Sequence, residues 1–394
     1  MNRIFTFYLS ITAVVLGLVG CQSNEVVPVS TYQCQFDVAD SSDMHPRAAT
    51  YQEILDRNQK LGIVGATLMV KDEFGVWVGA AGTADIASDV PMQPCNSFLI
   101  ASISKVFTAA AVFAYIDAGV LSLDDPVSKW MDEEVVKRIE NADEAQIRHL
   151  LDHTSGIADY YTLSQGMQRF NQFDNGWTQE DVLAFTYGKS AWFEVGETYG
   201  YSNTNYVMLG IILEAASGKT LEEVYRDEIF NPLHLTSAYY SATEPIPASL
   251  VKGYADFYGT AQYVESEFLY KDELVTADGG IAIHAQDLGR FFEELMKGEL
   301  VSETALDSMT SWFDLPEDWV DETIGHAQNG YGLERNQTPY GWSVGHTGAI
   351  DGFLSIAQYF PDTDRTFILL TNSAAYDGAP RENIYNETLK VMFE

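Results

Sequence analysis

Ser102 and Lys105 stand three residues apart in the run Ile100-Ala101-Ser102-Ile103-Ser104-Lys105. A serine hydroxyl becomes a nucleophile when a base takes its proton, and a lysine one helical turn away is placed to take it. This is the Ser-x-x-Lys arrangement of an acylating serine. The spacing alone is weak, because chance can supply such a pair in a chain of 394 residues. The setting is stronger. From Ile100 to Gly119 the chain reads as one helix. Ile103, Val106, Phe107, Ala109, Ala110, Val112, Phe113, Ala114 and Ile116 leave almost no polar face. That is the mark of a buried helix, and Gly119 supplies its stop. Lys105 is the misfit, since an ammonium is expensive to desolvate. It can act as base only if its pKa falls, through burial or positive neighbours.

Two later segments offer the missing parts. In Tyr201-Ser202-Asn203, residues two apart in an extended loop point the same way, so Tyr201 and Asn203 can enter one cleft. The phenol could relay protons and the amide could hold a substrate carbonyl or Lys105. Equally, Asn203 reads as a turn residue near the start of the next helix, beside a half-buried tyrosine. In Gly345-His346-Thr347-Gly348-Ala349, two glycines on a strand mark close approach of another backbone or a ligand, or a bulge at a sheet edge. A substrate could lie along that edge as an added strand.

The elements that must position these residues follow from periodicity. Arg47 to Lys60 forms an amphipathic helix, and Val64–Val70 with Val76–Ala81 forms a hairpin. From Leu121 to Glu265 helix-like patches alternate with Gly and Pro turns, and one helix is clear from Tyr206 to Ala216. Gly279–Ile283 is a strand before a helix from Ala285 to Lys297. Trp342–Ala349 is a strand, Phe353–Phe360 and Thr366–Thr371 form a hairpin, and Arg381–Met392 closes the chain as a helix. Strands at both ends with helices between suggest one sheet built from both termini. The expected division is an α/β part from 47–120 plus 266–394, with a mainly helical part, 121–265, inserted.

Composition narrows the partners. The formal charge is −35, so nucleic acid is a poor partner and a soluble monomer is favoured. Hydrophobic content of 46% supports a packed core. Residues 1–20 read as a signal peptide, and Leu18-Val19-Gly20-Cys21 resembles a bacterial lipoprotein signal, in which Cys21 is lipidated. An ordinary secretory signal is the other reading. Residues 21–46 then form a polar tether, and the mature protein is exported and held on the cell envelope. In that compartment Cys34 and Cys95 can form a disulfide or remain two thiols. Their spacing suggests no metal site. His149, His153 and His284 are assigned to packing and turns.

Together Ser102-x-x-Lys105, Tyr201-Ser202-Asn203 and His346-Thr347-Gly348 come in the order and rough spacing of one family. His149-Leu-Leu-Asp-His-Thr-Ser-Gly156 and Gly279-Gly280 with Asp287-Leu-Gly-Arg-Phe291 agree with it. The chain resembles the serine β-lactamase-related family of class C β-lactamases, DD-carboxypeptidases and esterases, over roughly Arg47 to Glu394. The resemblance implies an antiparallel sheet flanked by helices, of α+β type, with a helical domain beside it and the site in the cleft. It implies Ser102 as nucleophile, Lys105 as base, Tyr201 as proton relay, and Asn203, His346, Thr347 and Gly348 on the substrate. The backbone N–H groups of Ser102 and Ala349 would form the oxyanion hole, and no metal or cofactor is needed. His346 departs from the lysine of class C β-lactamases, which gives the substrate carboxylate a permanent positive charge. The expected activity is a serine hydrolase acting through an acyl-enzyme on D-alanyl peptides or related amides, in the manner of a DD-carboxypeptidase. A carboxylesterase or weak β-lactamase is the alternative within the family. A non-catalytic ligand- or penicillin-binding lipoprotein is the alternative of another class.

Overall fold

The computed structural model describes residues 44–161, 177–245, 247–256, 259–260, 262–267, 275–320, 324–374 and 378–394. The expected signal segment, Cys21 and Cys34 lie outside the described residues. Cys95 is fully buried and disulfide-bonded.

Five longer helices organise the described residues: α1 (Ala48–Gln59), α2 (Ser104–Asp117), α3 (Asn203–Ser217), α4 (Ala285–Met296) and α5 (Ala379–Phe393). The strands are β1 (Gly65–Asp72), β2 (Gly75–Asp85), β3 (Val90–Pro91), β4 (Ser97–Leu99), β5 (Tyr239–Tyr240), β6 (Tyr254–Ala255), β7 (Val264–Glu265), β8 (Ile281–His284), β9 (Phe313–Asp314), β10 (His326–Asn329), β11 (Glu334–Thr338), β12 (Gly341–Ile350), β13 (Phe353–Phe360), β14 (Arg365–Thr371) and β15 (Ser373–Ala374).

Nine strands form one antiparallel sheet in the order β3-β2-β1-β14-β13-β12-β11-β10-β9. The first hairpin and the last therefore meet in mid-sheet, where Leu68 pairs with Leu369. Side chains alternate across the sheet. Leu68, Val70, Phe367 and Leu369 face one way, into a core with Tyr51 and Leu55 of α1 and Ile384 and Leu389 of α5. Met69, Ile368 and Leu370 face the other way, into the core that holds α2, α3 and α4. Both faces are covered, so the strands read as apolar runs rather than as alternation. The large antiparallel sheet with flanking helices is the architecture the sequence suggests.

The nucleophile region differs from its expectation in one respect. The α-helix begins at Ser104 rather than Ile100, and Ser102 lies in a 3-10 turn, Ala101–Ile103. The cause is Ala101, whose φ of +48° is a left-handed conformation that a helix cannot include. Likewise β8 starts at Ile281 rather than Gly279, because the Gly279 and Gly280 N–H groups turn back to Thr276 O. The remainder of α2 is buried nearly all round, and Phe107 stacks on Phe291 of α4 with ring centres 3.6 Å apart.

Strand β12 passes directly over the turn that carries Ser102. Ser355 Oγ on β13 donates to Ile100 O at 2.9 Å. A Cβ built on Gly348 would stand 2.2 Å from Ile100 O and 2.3 Å from Ser355 Oγ. Only glycine permits this approach. Gly348→Ala should therefore push the strand off the turn, with a stability loss of about 1–3 kcal/mol. The acylation rate should fall by more than about tenfold, since misplacement near the reacting group is costly. Denaturant midpoints and the rate of labelling of Ser102 check both, and an unaltered rate would show that the approach does not matter.

Candidate active site

Ser102 sits at the floor of a cleft of about 680 Å³ that also reaches Tyr201, Asn203, His346, Thr347 and Ala349. Lys105, one residue inside α2, is fully buried. Its Nζ donates to Ser102 Oγ at 3.1 Å and to Asp278 O at 2.9 Å. It lies 3.8 Å from Asp278 Oδ2 and 5.1 Å from the centre of the Tyr201 ring. The Tyr201 phenol is near enough to the Ser102 hydroxyl for that hydroxyl to oppose the effect of burial on it. Burial pushes this phenol well above its ordinary pKa, against the opposing effect of Ser102, so it remains protonated at neutral pH. Ser102, Lys105 and Tyr201 are thus brought together as expected.

A supporting layer fixes their orientation. His153 lies under Tyr201, ring centres 4.4 Å apart. Its Nδ1 receives the Ser202 N–H at 3.2 Å and faces Asn205 Nδ2 at 3.1 Å. Asn205 in turn receives Ser155 Oγ, so the segment from His149 to Gly156 is the bed on which Tyr201 rests. Burial drives His153 well below the usual histidine range, with Lys105 and His346 adding to the effect. His149 and His284 serve helix starts: the first completes a capping box with Gln146, and the second caps α4. Asn203 opens α3 and donates to Asp159 Oδ2 at 3.0 Å. Burial raises Asp159 to about 6, and the nearby Asp278 carboxylate works in the same direction.

The His346 ring lies on the far side of Tyr201, with centres 6.3 Å apart. It is buried, and its Nδ1 donates to Thr347 O. Burial pushes its pKa down to about 3, and the neighbouring Lys105 contributes. His346 is accordingly neutral at physiological pH.

The sequence model of the family described as Beta-lactamase matches residues 49–391. The chain belongs to the beta-lactamase family. Among its relatives in that family is "Penicillin-binding protein 4*" of Bacillus subtilis, 29% identical over 307 residues, which are 74% of this chain and 64% of the relative. A "D-aminopeptidase" of Cereibacter sphaeroides is 27% identical over 315 residues, 79% of this chain and 57% of the relative. The chain thus spans less than two thirds of the length of these relatives. Among solved structures, a D-amino acid amidase from Ochrobactrum anthropi SV3 superposes with a TM-score of 0.76 at 24% identity, covering 87% of this chain and 98% of that one. A D-stereospecific amidohydrolase from Streptomyces sp. superposes with a TM-score of 0.74 at 26% identity, over 86% and 98%.

Within the beta-lactamase family frame, four polar side chains of the site were not singled out from sequence. Asp278 precedes Gly279-Gly280, and only the glycines drew notice. Tyr160 donates its hydroxyl to Asp278 Oδ2 at 3.1 Å. Asp159 sits behind Asn203. Glu334 comes from β11, a strand of polar residues that carries no strand signal of its own.

The neutral His346 has a pH consequence. Its ordinary value is about 6.5 and its folded value is about 3, so the folded state binds fewer protons than the unfolded chain between those values. Its contribution to stability is present above about pH 6.5 and is lost as pH falls through about 3. His153 acts in the same direction. His346→Asn should flatten the fall in melting temperature between about pH 7 and pH 4. An equally steep fall in the variant would assign the acid sensitivity to other groups.

Proposed function

We propose that the protein is a serine amidohydrolase that cleaves D-amino acid amides or D-peptides through an acyl-enzyme on Ser102. The observation that carries this reading is the contact of buried Lys105 Nζ with Ser102 Oγ at 3.1 Å, with the Tyr201 ring centre 5.1 Å from the same Nζ. In acylation Ser102 Oγ attacks the amide carbonyl carbon and its proton passes to Lys105, which must be neutral at that moment. The carbonyl oxygen becomes an oxyanion, received by the Ser102 and Ala349 N–H groups. The Ser102 N–H lies in the 3-10 turn that leads into α2, on the side of that helix's amino end, where negative charge is favoured. The C–N bond then breaks, and the leaving amine takes a proton from the Tyr201 phenol, which Lys105 re-protonates. Water repeats the sequence on the ester, releasing the acid and restoring Ser102. Asn203, held by Asp159, meets the acyl part of the substrate.

The choice of D-amino acid amides over D-alanyl carboxypeptides rests on the relatives, which include a D-aminopeptidase. Neutral His346, in place of the lysine of class C β-lactamases, speaks against efficient β-lactamase action. A non-catalytic binding lipoprotein has no comparable support, because it has no use for a buried lysine on a serine hydroxyl. Attachment to the envelope through a lipidated Cys21 remains part of the proposal. Cys21→Ser should move the protein from the membrane to the soluble fraction or block its processing, and equal fractionation of both forms would favour an ordinary secretory signal.

Ser102→Ala should abolish both turnover and covalent labelling by a fluorophosphonate. Ser104→Ala should keep the label on Ser102 but lower the melting temperature, because Ser104 Oγ is buried and accepts the Ile281 N–H at 3.2 Å. Lys105→Arg should be inactive, since arginine stays charged and cannot take the proton. Turnover of D-phenylalaninamide by Ser102→Ala would sink the mechanism.

A further inference from the structure

Glu334 is a charged side chain of the cleft that none of the three motifs accounts for. It lies on β11, and the residue is 5% exposed. Strand register sets Glu334 opposite Gly345, so its side chain reaches the edge that begins at His346. Oε2 accepts the Thr347 N–H at 3.1 Å, and Oε1 accepts the Thr347 hydroxyl at 3.4 Å. Oε1 also lies 3.5 Å from His346 Nδ1. Both oxygens act as acceptors, as those of an ionised carboxylate do.

His346 does not cancel this charge. It is neutral, and because Nδ1 donates to Thr347 O, the hydrogen-bond geometry leaves Nε2 as an acceptor. The edge that would receive a substrate's leaving side therefore presents one negative charge and a lone pair. The location of the leaving side follows from Tyr201. The group that protonates the departing nitrogen must lie beside it, and the His346 ring is next to the Tyr201 ring. The other charged groups facing this space do not reverse the balance. Asp278 is a second carboxylate on the cleft wall, and Lys105 is engaged with Ser102 and the Asp278 carbonyl. At the far end Arg381 shares the cleft with Asp351 and Glu382.

We propose that Glu334 is a specificity-determining residue: it excludes leaving groups that carry a carboxylate, so that the enzyme acts on substrates whose leaving side is uncharged or cationic. Such substrates are primary amides and C-terminally amidated or amine-bearing peptides. Peptides with a free C-terminal carboxylate and penicillins are rejected by like-charge juxtaposition in a poorly solvated site. This inference rests on the acyl-enzyme reading given above.

A matched pair of substrates tests it: D-alanyl-D-alanine amide and D-alanyl-D-alanine, which differ only in the terminal carboxylate. Active protein is first counted by fluorophosphonate labelling of Ser102. The wild type should prefer the amide, and in Glu334→Gln the ratio of kcat/KM values should move toward the acid by at least about tenfold. Glutamine keeps the shape and can still accept the Thr347 N–H. His346→Lys neutralises the same carboxylate without altering β11, and should shift the ratio in the same direction, so the outcome does not hinge on the folding of one variant. Benzylpenicillin acylation should rise in both variants. A wild type that takes acid and amide alike, with Arg381 receiving the carboxylate, overturns the inference, as does an unchanged ratio in both variants. Absence of any label on Ser102 would instead overturn the acyl-enzyme reading on which it depends.

Discussion

A lysine amine with no access to water is the constraint on which the rest of the site depends. Burying a polar nitrogen is costly unless its hydrogens find acceptors. Lys105 meets that demand with Ser102 Oγ and Asp278 O, which come from a turn before α2 and from a loop far along the chain. The loop is itself drawn onto α2, because Thr108 Oγ1 donates to Ala277 O at 2.6 Å. Satisfying one buried amine thus fixes the distance between the serine, the lysine and the cleft wall. The arrangement that serves the chemistry is the same one that removes the penalty of burial.

Each reacting side chain has a second partner behind it. Tyr201 lies on His153, Asn203 is held by Asp159, and Thr347 is tied to Glu334. Several of these partners are ionisable groups in poorly solvated positions, and their environments move them in different directions. Burial keeps His153 and His346 neutral, and it raises Asp159 toward neutrality. The result is a site with few full charges, in which each remaining charge acts over a longer range than it would in water.

How much of this was legible in the sequence depends on the kind of signal. Ser102 and Lys105 stood out because a lysine interrupts an otherwise apolar helix, and hairpins such as β13–β14 stood out through strong apolar runs bounded by turn residues. The start of α2 was misjudged because nothing in the identity of Ala101 announces a positive φ. Strands β10 and β11 were not legible at all. His326-Ala-Gln-Asn329 and Glu334-Arg-Asn-Gln-Thr338 have little strand preference; β11 is a strand because β12 offers an edge to pair with, and β10 because β11 then offers the next. Glu334 was missed for that reason. Asp278 was missed because it meets Lys105 and Tyr160 across more than a hundred residues of chain, and Asp159 because it meets Asn203 across 44, which no local pattern encodes.

The pairing of β1 with β14 also bears on how the molecule comes into being. The central sheet cannot close until residues 365–371 have been synthesised, because β1 needs β14 as its neighbour. Until then the apolar faces of the first hairpin and of α2 lack part of their cover, and a long stretch of chain must be looped out before the pairing is rewarded. Assembly is therefore a late event that depends on the whole polypeptide. A ribosome stalled short of the last hairpin would release a chain with open strand edges, prone to aggregate and in need of a chaperone.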